Sequence, residues 1–395
     1  MSIDQQYDSL IYESGYTGHR PEYISHIMRF INNNPSLYGK FVFLLHQNVA
    51  PYLGSLLIST GYRIEFFGLS GKYRNSVKKS FSEWKMLEPF LLRNRQIRQF
   101  IFLDIDPYLI LLATGKFKKF GLNVRGILFQ PYIHFRGPGI SSIRNLKSYL
   151  KSFAFQKYAT LLNPGIKQLF VLNDAAGTKS LNRNIKDIFH FLPDPIEAKP
   201  AHFESVDTIL SKFRINPEKH NLLLFGRIDR RKNLINIIDG LNLLPSPTKG
   251  KINLIIAGQF DRDIESKYLH YIEKYRDEFD VFYNNDFVTT EERDVLFQHS
   301  DLVLMPYINF YSSSGVLGHT IKNKKNVVVS NKGIVSKIVS ENEIGLAVDP
   351  ESPRQIKNAV YELLHNQRPG SYENQMLMEE YSPYNFSKIL LGELK

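Results

Sequence analysis

The sequence has no cysteine among its 395 residues. This absence excludes disulfide bonds, thiolate metal sites and a cysteine nucleophile, and it fits a reducing compartment such as the cytoplasm. No apolar run reaches the ~18 residues that a membrane-spanning helix needs. Residues 1–15 also lack a basic segment followed by an apolar one, so no secretory signal is predicted. We therefore expect a cytoplasmic protein, soluble or bound peripherally to the inner face of the cytoplasmic membrane.

Acidic residues are scarce in the first half of the chain. Residues 1–200 contain 26 Lys and Arg against 13 Asp and Glu, whereas the remaining 195 contain 24 against 26. The cations are densest over residues 72–98, where they alternate with four aromatic residues, Tyr73, Phe81, Trp84 and Phe90. Such a pattern suits an anionic bilayer surface, although a solvated helix face would look the same. No motif that reads DNA or RNA accompanies it, so we expect a membrane surface and no nucleic acid as partner.

Apolar runs alternate with helix-length segments throughout the chain. In the first half they are Ser9–Glu13, Lys40–His46, Arg63–Gly68, Gln99–Asp104, Val124–Gln130 and Gln168–Leu172; in the second they begin near Leu222, Ile252, Val281, Leu302, Val327 and Leu346. This alternation predicts right-handed crossovers and doubly wound parallel sheets.

The length of the chain favours two domains rather than one, because a single core rarely organises more than ~300 residues. Pro193 and Pro195 impose an extended path, and the polar residues after them indicate a hinge near Glu197. The fold class is therefore α/β, with two Rossmann-like domains over residues 1–197 and 198–380. A C-terminal helix over residues 381–395 is predicted to return to the first domain.

The most informative stretch is Asn221–Leu234. Its apolar start predicts a buried strand that ends at Gly226, and Lys232 is predicted to open an amphipathic helix. Arg227 and Lys232 then stand beside a helix N-terminus, where anions bind favourably. The stretch indicates a pyrophosphate site, with a solvated basic surface as the alternative.

A second stretch, residues 301–330, follows the same plan. A buried strand leads to three hydroxyl residues and a glycine, Ser312, Ser313, Ser314 and Gly315, and a short helix is predicted from Val316. Hydroxyl and backbone donors at a helix start suit a phosphate, although serine is also simply a good N-cap.

Together and in this order, the two stretches resemble the donor half of GT-B glycosyltransferases, in particular the retaining family 4. Gly226, Arg227 and Lys232 match the family's Gly-Arg…Lys signature, whose cations grip the donor diphosphate. Further segments are similar to the family's later strand, base pocket and phosphate loop, namely Asn253–Gly258, Phe287–Val288 with Glu291–Glu292, and Ser312–Gly315. The resemblance implies a GT-B fold, a nucleotide-diphosphate sugar donor on the second domain and a saccharide acceptor on the first.

The sequence departs from this family at two glutamates that are separated by seven residues. The first position falls on Ser312; the second falls on His319 or Thr320, depending on the direction of counting. A neutral side chain there would hold the donor ribose more weakly than a carboxylate does. The donor and the stereochemical outcome therefore stay open.

The loop after the first predicted strand carries Gly15, Gly18 and His19. In open parallel sheets this loop lies at the edge where ligands bind. It resembles the family's glycine-rich first loop, which approaches the donor phosphate and the acceptor, with its glycine pair opened to Gly15 and Gly18. His19 is a candidate general base, and a helix cap or surface residue is the alternative.

Polar residues also follow later strands of the first half. Asp104 and Asp106 end one strand, at positions where the family usually has histidines, and His134 lies just beyond another. A carboxylate pair there could orient an acceptor hydroxyl or take its proton, or it could cap the helix near Pro107.

These residues predict a metal-independent reaction without a cofactor, because two cations and a helix start supply positive charge to the leaving diphosphate. Asp104 and Asp106 have the spacing of an Asp-x-Asp metal site but lie in the acceptor half. With retention the leaving phosphate takes the acceptor proton; with inversion His19, His134, Asp104 or Asp106 must act as base.

We expect a hexosyltransferase-type enzyme that extends a bacterial surface polysaccharide or its lipid-linked precursor. A nucleotide-sugar epimerase and a non-catalytic sugar-nucleotide-binding relative are the alternatives.

Overall fold

The computed structural model describes residues 7–68, 76–135, 143–196, 206–311, 314–365 and 379–392. The chain forms two compact units, one of Met1–Pro195 with Pro383–Lys395 and one of Ile196–Ser382. The predicted hinge at Glu197 lies outside the described residues.

The first unit is built on a parallel sheet, seven-stranded in the described part of the chain, with the order β3-β2-β1-β4-β5-β6-β7. Its strands are β1 (Ser9–Glu13), β2 (Phe41–His46), β3 (Arg63–Phe67), β4 (Gln99–Phe102), β5 (Asn123–Leu128), β6 (Ile166–Leu172) and β7 (Phe189–Leu192). Its helices are α1 (Arg20–Asn32), α2 (Ser76–Arg93), α3 (Leu109–Ala113), α4 (Ile143–Leu162), α5 (Ala175–Asn184) and, from the end of the chain, Pro383–Leu391. That last helix packs against α1 and β7.

Consecutive residues of β1 supply two different apolar cores. Leu10 and Tyr12 belong to one buried cluster and Ile11 to another. Side chains alternate between the faces of a strand, so the sheet is covered on both sides. All five residues of β1 are buried, which explains its almost continuous apolar sequence.

The second unit has a parallel sheet of six strands within the described ranges, ordered β10-β9-β8-β11-β12-β13. These are β8 (His220–Phe225), β9 (Ile252–Ala257), β10 (Asp280–Asn284), β11 (Leu302–Met305), β12 (Asn326–Ser330) and β13 (Gly345–Val348). The helices are α6 (Val206–Lys212), α7 (Leu234–Asn242), α8 (Ser246–Lys249), α9 (Glu265–Lys274), α10 (Thr290–His299), α11 (Gly315–Lys322), α12 (Ile334–Glu341) and α13 (Pro353–His365). The final helix, Pro383–Leu391, is named α14.

In each sheet the strand order reverses beside a central strand. The reversal lies between β1 and β4 in the first unit and between β8 and β11 in the second. Connections on the two sides of such a point run to opposite faces, which leaves a crevice at the carboxyl ends of the strands. The predicted fold class, two doubly wound parallel α/β domains, is confirmed.

One strand was not predicted from the sequence: Phe189–Leu192 forms β7, directly before the prolines. One local prediction was wrong. Lys232 does not open a helix; it ends a 3₁₀ turn over Arg230–Lys232, and α7 begins at Leu234. Asn233 between them has φ of 62° and donates its side-chain amide to the carbonyl oxygens of Pro306 and Pro350. This left-handed residue reorients the chain before α7 starts.

None of the helices in the described ranges is both long and apolar enough to cross a membrane.

We predict that Gly258→Ala destabilises the second unit by ~2–4 kcal/mol. Gly258 has φ of 139°, and a Cβ built on it would lie 2.2 Å from the carbonyl oxygen of Gly226. Urea unfolding followed by circular dichroism measures the change. The matched control is Gly250→Ala, whose added Cβ meets only Ser246 O at 3.5 Å; equal stability of the two variants would contradict the prediction.

Candidate functional site

Lys232 is a buried cation beside the carboxyl end of β8. Its Nζ donates a hydrogen bond to Tyr307 Oη at 2.6 Å and another to the carbonyl oxygen of Phe225. Burial, with the charge of Arg231 adding to its effect and that of Asp229 opposing it, lowers the pKa of Lys232 to about 7. The amino group can therefore change its charge near neutral pH when an anion approaches.

Gly226 keeps the space beside this amino group open. Its φ is 96°, and a Cβ at this position would lie 3.5 Å from Lys232 Nζ. Only glycine adopts such a backbone conformation without strain. The predicted donor residues Gly226 and Lys232 thus lie side by side.

Arg227 differs from Lys232 in its surroundings. Its side chain is 73% exposed and forms an ion pair with Asp261. Its hydrogen bond to Asp261 and the charge of that carboxylate raise the pKa of Arg227. A ligand phosphate would have to compete with Asp261 for this guanidinium.

Arg231 and Tyr307, which were not singled out from the sequence, link the loops that follow β8 and β11. The Arg231 guanidinium lies 5.5 Å from the centre of the Tyr307 ring and 4.8 Å from that of Phe310. Ile308 N donates to Arg231 O at 2.9 Å. Cation–π contacts and a backbone hydrogen bond therefore hold the two loops side by side.

The predicted phosphate loop is described from Ser314 onward, because Ser312 and Ser313 lie outside the described residues. Ser314 is the N-cap residue of α11, but its side chain makes no capping hydrogen bond. No atom lies within 4 Å of a Cβ built on Gly315, and the next residue, Val316, is half-buried. The start of α11 thus has an uncommitted cap hydroxyl and open space at its glycine.

The residues at the second glutamate position have different environments. Thr320 is buried, and its hydroxyl donates to Val316 O at 2.8 Å within α11. The His319 ring lies 5.4 Å from that of Phe297. Burial lowers the pKa of His319 to about 3, with Arg293 adding to the effect. His319 is therefore a neutral imidazole at pH 7, able to accept or donate one hydrogen bond.

In the first unit, a buried carboxylate ends β1. Glu13 Oε1 accepts a hydrogen bond from Gly15 N at 2.5 Å and lies 3.3 Å from Arg20 Nε. Arg20 also donates to Asp104 Oδ2 at 2.8 Å. Burial raises the pKa of Glu13 to about 7, with Arg20 opposing and Asp104 reinforcing the rise. Glu13 Oε2 is buried and has no hydrogen-bond partner among the described residues.

Asp104 and Asp106 are engaged in local structure. Asp106 accepts hydrogen bonds from Phe129 N at 2.7 Å and Gln130 N at 3.3 Å, which ties the end of β4 to the end of β5. Asp104 Oδ1 accepts from Asp106 N at 3.3 Å. Burial raises the pKa of Asp106 to about 8, with the charge of Asp104 adding to it.

His19 lies at the N-cap position of α1 without a side-chain capping bond. Its ring centre is 4.8 Å from those of Tyr23 and Phe129. Burial lowers the pKa of His19 to about 3, and Arg20 contributes. A base with so low a pKa accepts a proton poorly, so this geometry does not favour His19 as the general base.

The remaining predicted residues of the first unit lie in loops. A Cβ on Gly15 would be 2.1 Å from Arg20 Cδ, so a larger residue would displace the Arg20 side chain, whereas Gly18 has φ of 68° and open surroundings. His134 lies on a 3₁₀ turn, Tyr132–Phe135, which follows β5. Its side chain lies outside the described part of the structure.

The structure thus brings Gly15 and Asp104 together through Arg20 and Glu13. Neither Glu13 nor Arg20 was singled out from the sequence. A signal existed for Glu13, because a charged residue ends an otherwise apolar run. The described residues contain no group of three or more His, Asp or Glu that could hold a metal ion.

The two-unit architecture is shared with solved GT-B glycosyltransferases. HepE of Anabaena, solved with UDP and glucose, is 12% identical, with 97% of each chain covered and a TM-score of 0.67. WaaG, involved in lipopolysaccharide biosynthesis, is 13% identical over 97% of this chain and 100% of its own, with a TM-score of 0.63. The UDP-forming trehalose-phosphate synthase of Burkholderia xenovorans is 10% identical over 97% and 99%, at 0.67. The fold is therefore GT-B.

A protein-family model also matches part of the chain. Residues 205–382, which lie within the second unit, match the model of the family described as Glycosyl transferases group 1. No curated protein sequence matches the chain. The predicted resemblance to GT-B glycosyltransferases is confirmed, and the assignment to family 4 stays a prediction.

We predict that the first unit becomes less stable as pH rises from about 5 to 8, because Glu13 and Asp106 stay protonated longer in the folded than in the unfolded chain. A carboxyl group with a raised folded pKa contributes stability at low pH that is lost as pH rises towards that pKa. Glu13→Gln should weaken this dependence.

Trp84, the single tryptophan, is buried in the first unit and reports its unfolding in urea by fluorescence. Glu65→Gln is the control, because Glu65 forms a partly exposed ion pair with Arg63. A Glu13→Gln variant with the full wild-type pH dependence would contradict the assignment.

Proposed function

We propose that the protein transfers a hexose from a nucleotide-diphosphate sugar to a saccharide or lipid-linked saccharide, in the synthesis of a bacterial surface polysaccharide. The observation that carries the proposal is the buried Lys232 at the strand-order reversal of a group 1 glycosyl transferase domain. HepE, with the same fold, is solved in complex with UDP-glucose, which supports a nucleotide-sugar donor.

The leaving diphosphate is the group that Lys232 would stabilise. As the bond to the sugar breaks, negative charge grows on the phosphate, and a buried cation interacts with it more strongly than an exposed one. Ser314 and Gly315 supply an uncommitted hydroxyl and a helix start for the same anion. Arg227 joins them when its guanidinium leaves Asp261. We propose that the reaction needs no metal or cofactor, because these groups carry the positive charge.

The nucleoside would be held by weaker contacts. His319 is the residue we assign to the ribose, since the Thr320 hydroxyl is used inside α11. Phe287 precedes α10 in the segment that resembles the base pocket, and its side chain is largely exposed. An exposed ring at this position is available to stack on a base.

The acceptor would bind to the first unit near Gly15 and Glu13. With retention of configuration, which the family resemblance implies, the leaving phosphate takes the acceptor proton. With inversion, we favour Glu13 over the other candidates, because Asp106 accepts two backbone hydrogen bonds and His19 is a weak base. The unpartnered Oε2 of Glu13 is the atom that would accept the proton.

A non-catalytic sugar-nucleotide-binding protein is the second candidate function. The observation that favours it is the ion pair between Arg227 and Asp261, because this carboxylate already neutralises one of the two signature cations. Release of UDP from a panel of UDP-sugars separates the two candidates, because a binding protein would hold UDP without turning over its sugars. A nucleotide-sugar epimerase would instead convert one UDP-sugar into another.

We predict that Lys232→Met lowers the affinity for UDP by roughly tenfold or more, ~1.4 kcal/mol per factor of ten. Binding an anion raises the pKa of Lys232 from about 7, so wild-type binding should take up a proton and weaken from about pH 6 to pH 9. Calorimetry in buffers of different ionisation enthalpy measures both effects. Lys337→Met, which removes an exposed lysine of the same unit, is the control; unchanged UDP affinity in Lys232→Met would refute the site.

We predict that EDTA changes neither UDP affinity nor the rate of UDP release from the preferred UDP-sugar. The reason is that side chains and a helix start, not a metal ion, are assigned to the diphosphate. The control is the same assay after adding Mg²⁺ back to the chelated protein. A rate that falls with EDTA and returns with Mg²⁺ would show that the assignment of charge is incomplete.

A further inference from the structure

Helix α4 carries apolar side chains on its outward side as well as on its buried side, unlike an ordinary amphipathic surface helix. Its buried side carries Gln156, Ala159 and Thr160, and the rings of Phe153 and Phe155 pack against the apolar core. Gln156 accepts a hydrogen bond from Tyr132 N at 3.0 Å and donates one to Gln130 O at 2.8 Å, while the Thr160 hydroxyl donates to Gln156 O at 2.9 Å. Hydrogen bonds and apolar packing together thus attach α4 to the unit beneath it.

The outward side of α4 is apolar. Its large members are between 48% and 56% exposed, and they are Leu150, Tyr158, Leu161 and Leu162. Together with Ala154 they recur every three or four residues, which places them on one face of the helix. A monomer rarely presents such a continuous apolar stripe to water, so this face indicates a surface that is covered in use.

The segment that forms α4 is positively charged. The α4 sequence contains Arg144, Lys147, Lys151 and Lys157 and no Asp or Glu. Lys151 Nζ lies 5.6 Å from the centre of the Phe155 ring, and Lys157 Nζ lies 5.4 Å from that of Phe153. Each amino group thus lies over an aromatic ring that itself packs against the core, a cation–π contact that holds the charge close to the helix.

We propose that the outward face of α4 is the surface through which the first unit binds an anionic lipid bilayer. The leucines and Tyr158 enter the interface between headgroups and acyl chains, and the cations contact anionic headgroups. The inference rests on the proposed function in one respect, because a membrane-bound first unit would lie close to a lipid-linked acceptor. Binding to vesicles, however, does not require sugar transfer.

A second copy of the chain is a poorer occupant of this face. A twofold contact through α4 would place the same patch against itself, and Lys151 and Lys157 of one copy would approach those of the other, with no Asp or Glu in the helix to offset them. Like charges brought together in this way oppose association. An anionic bilayer complements both the charge and the apolar stripe.

This surface replaces the one indicated by the sequence. Of the aromatic residues in 72–98 that were expected to meet the bilayer, Trp84 and Phe90 are buried in the apolar core and Phe81 packs against it, while Tyr73 lies outside the described residues. The lysines of that segment can still attract a membrane electrostatically, but these three rings are not available for insertion. On α4, by contrast, four large apolar side chains are exposed along one helix.

Sedimentation with vesicles tests the proposal. Vesicles of equal parts phosphatidylglycerol and phosphatidylcholine should bind the full-length protein, whereas pure phosphatidylcholine vesicles should bind it much less. The double substitution Leu161→Glu with Leu162→Glu should weaken binding by about tenfold or more, because it removes two apolar groups and adds two like charges to the anionic surface. Leu161→Ala with Leu162→Ala should give a smaller loss without a change in charge.

The matched control is Leu57→Glu with Ile58→Glu. These neighbours are exposed apolar residues of the same unit, on a short 3₁₀ turn away from α4, and the substitution changes charge equally. Urea unfolding monitored by Trp84 verifies that each variant is folded. Equal loss in both double variants, or no binding of the wild type, would overturn the proposal.

Two further readouts separate the alternatives. A concentration-dependent dimer in analytical ultracentrifugation that disappears in Leu161→Glu with Leu162→Glu would assign the face to a second copy and overturn the bilayer assignment. UDP affinity, measured on the same variants, should be unchanged. Absence of UDP binding in the wild type would refute the proposed transferase while leaving the vesicle result standing.

Discussion

The buried amino group of Lys232 is the constraint on which the second unit's candidate site depends. Its ammonium has no ion-pair partner among the described residues; it is held by Tyr307 and by the carbonyl of Phe225. Burial without a carboxylate lowers its pKa towards 7. The backbone around it is correspondingly restricted, since Gly226 has a left-handed φ beside the amino group and Gly258 contacts Gly226 closely. Because its surroundings disfavour the positive charge of Lys232, a ligand that carries negative charge is stabilised there together with the ammonium.

In the first unit, the carboxyl ends of the central strands carry buried acidic groups instead of a buried cation. At the carboxyl ends of β1 and β4, Glu13, Asp104 and Asp106 are buried, and burial raises the pKa of each carboxyl group. Arg20 compensates part of their charge. In both units the strand-order reversal brings polar side chains from distant parts of the sequence to one edge of a sheet. The cation suits an anionic donor, and the carboxyl groups suit an acceptor that presents hydroxyls.

The sequence predicts the fold well because buried parallel strands are apolar along their whole length, and β1, β2 and β9 are buried at every residue. It predicts less of the site. The strand β7 is masked by adjacent prolines, and Asn233 delays α7 by a left-handed turn that no periodicity reveals. Arg231 and Tyr307 meet only because β8 and β11 are neighbours in the sheet. The composition of residues 72–98 also could not show that Trp84 faces the core, because lysines and core residues alternate along α2.

The missing glutamates and the buried lysine have one consequence in common for the proposed donor site. A carboxylate in α11 would hold a ribose firmly but would also repel the diphosphate. His319, neutral because burial lowers its pKa, gives up the strong ribose contact and removes that repulsion. Recognition then depends mainly on the diphosphate, the part shared by all nucleotide-sugar donors. On the proposed function, selectivity among bases and sugars would come from contacts outside the diphosphate, and the exposed ring of Phe287 is a candidate for one of them.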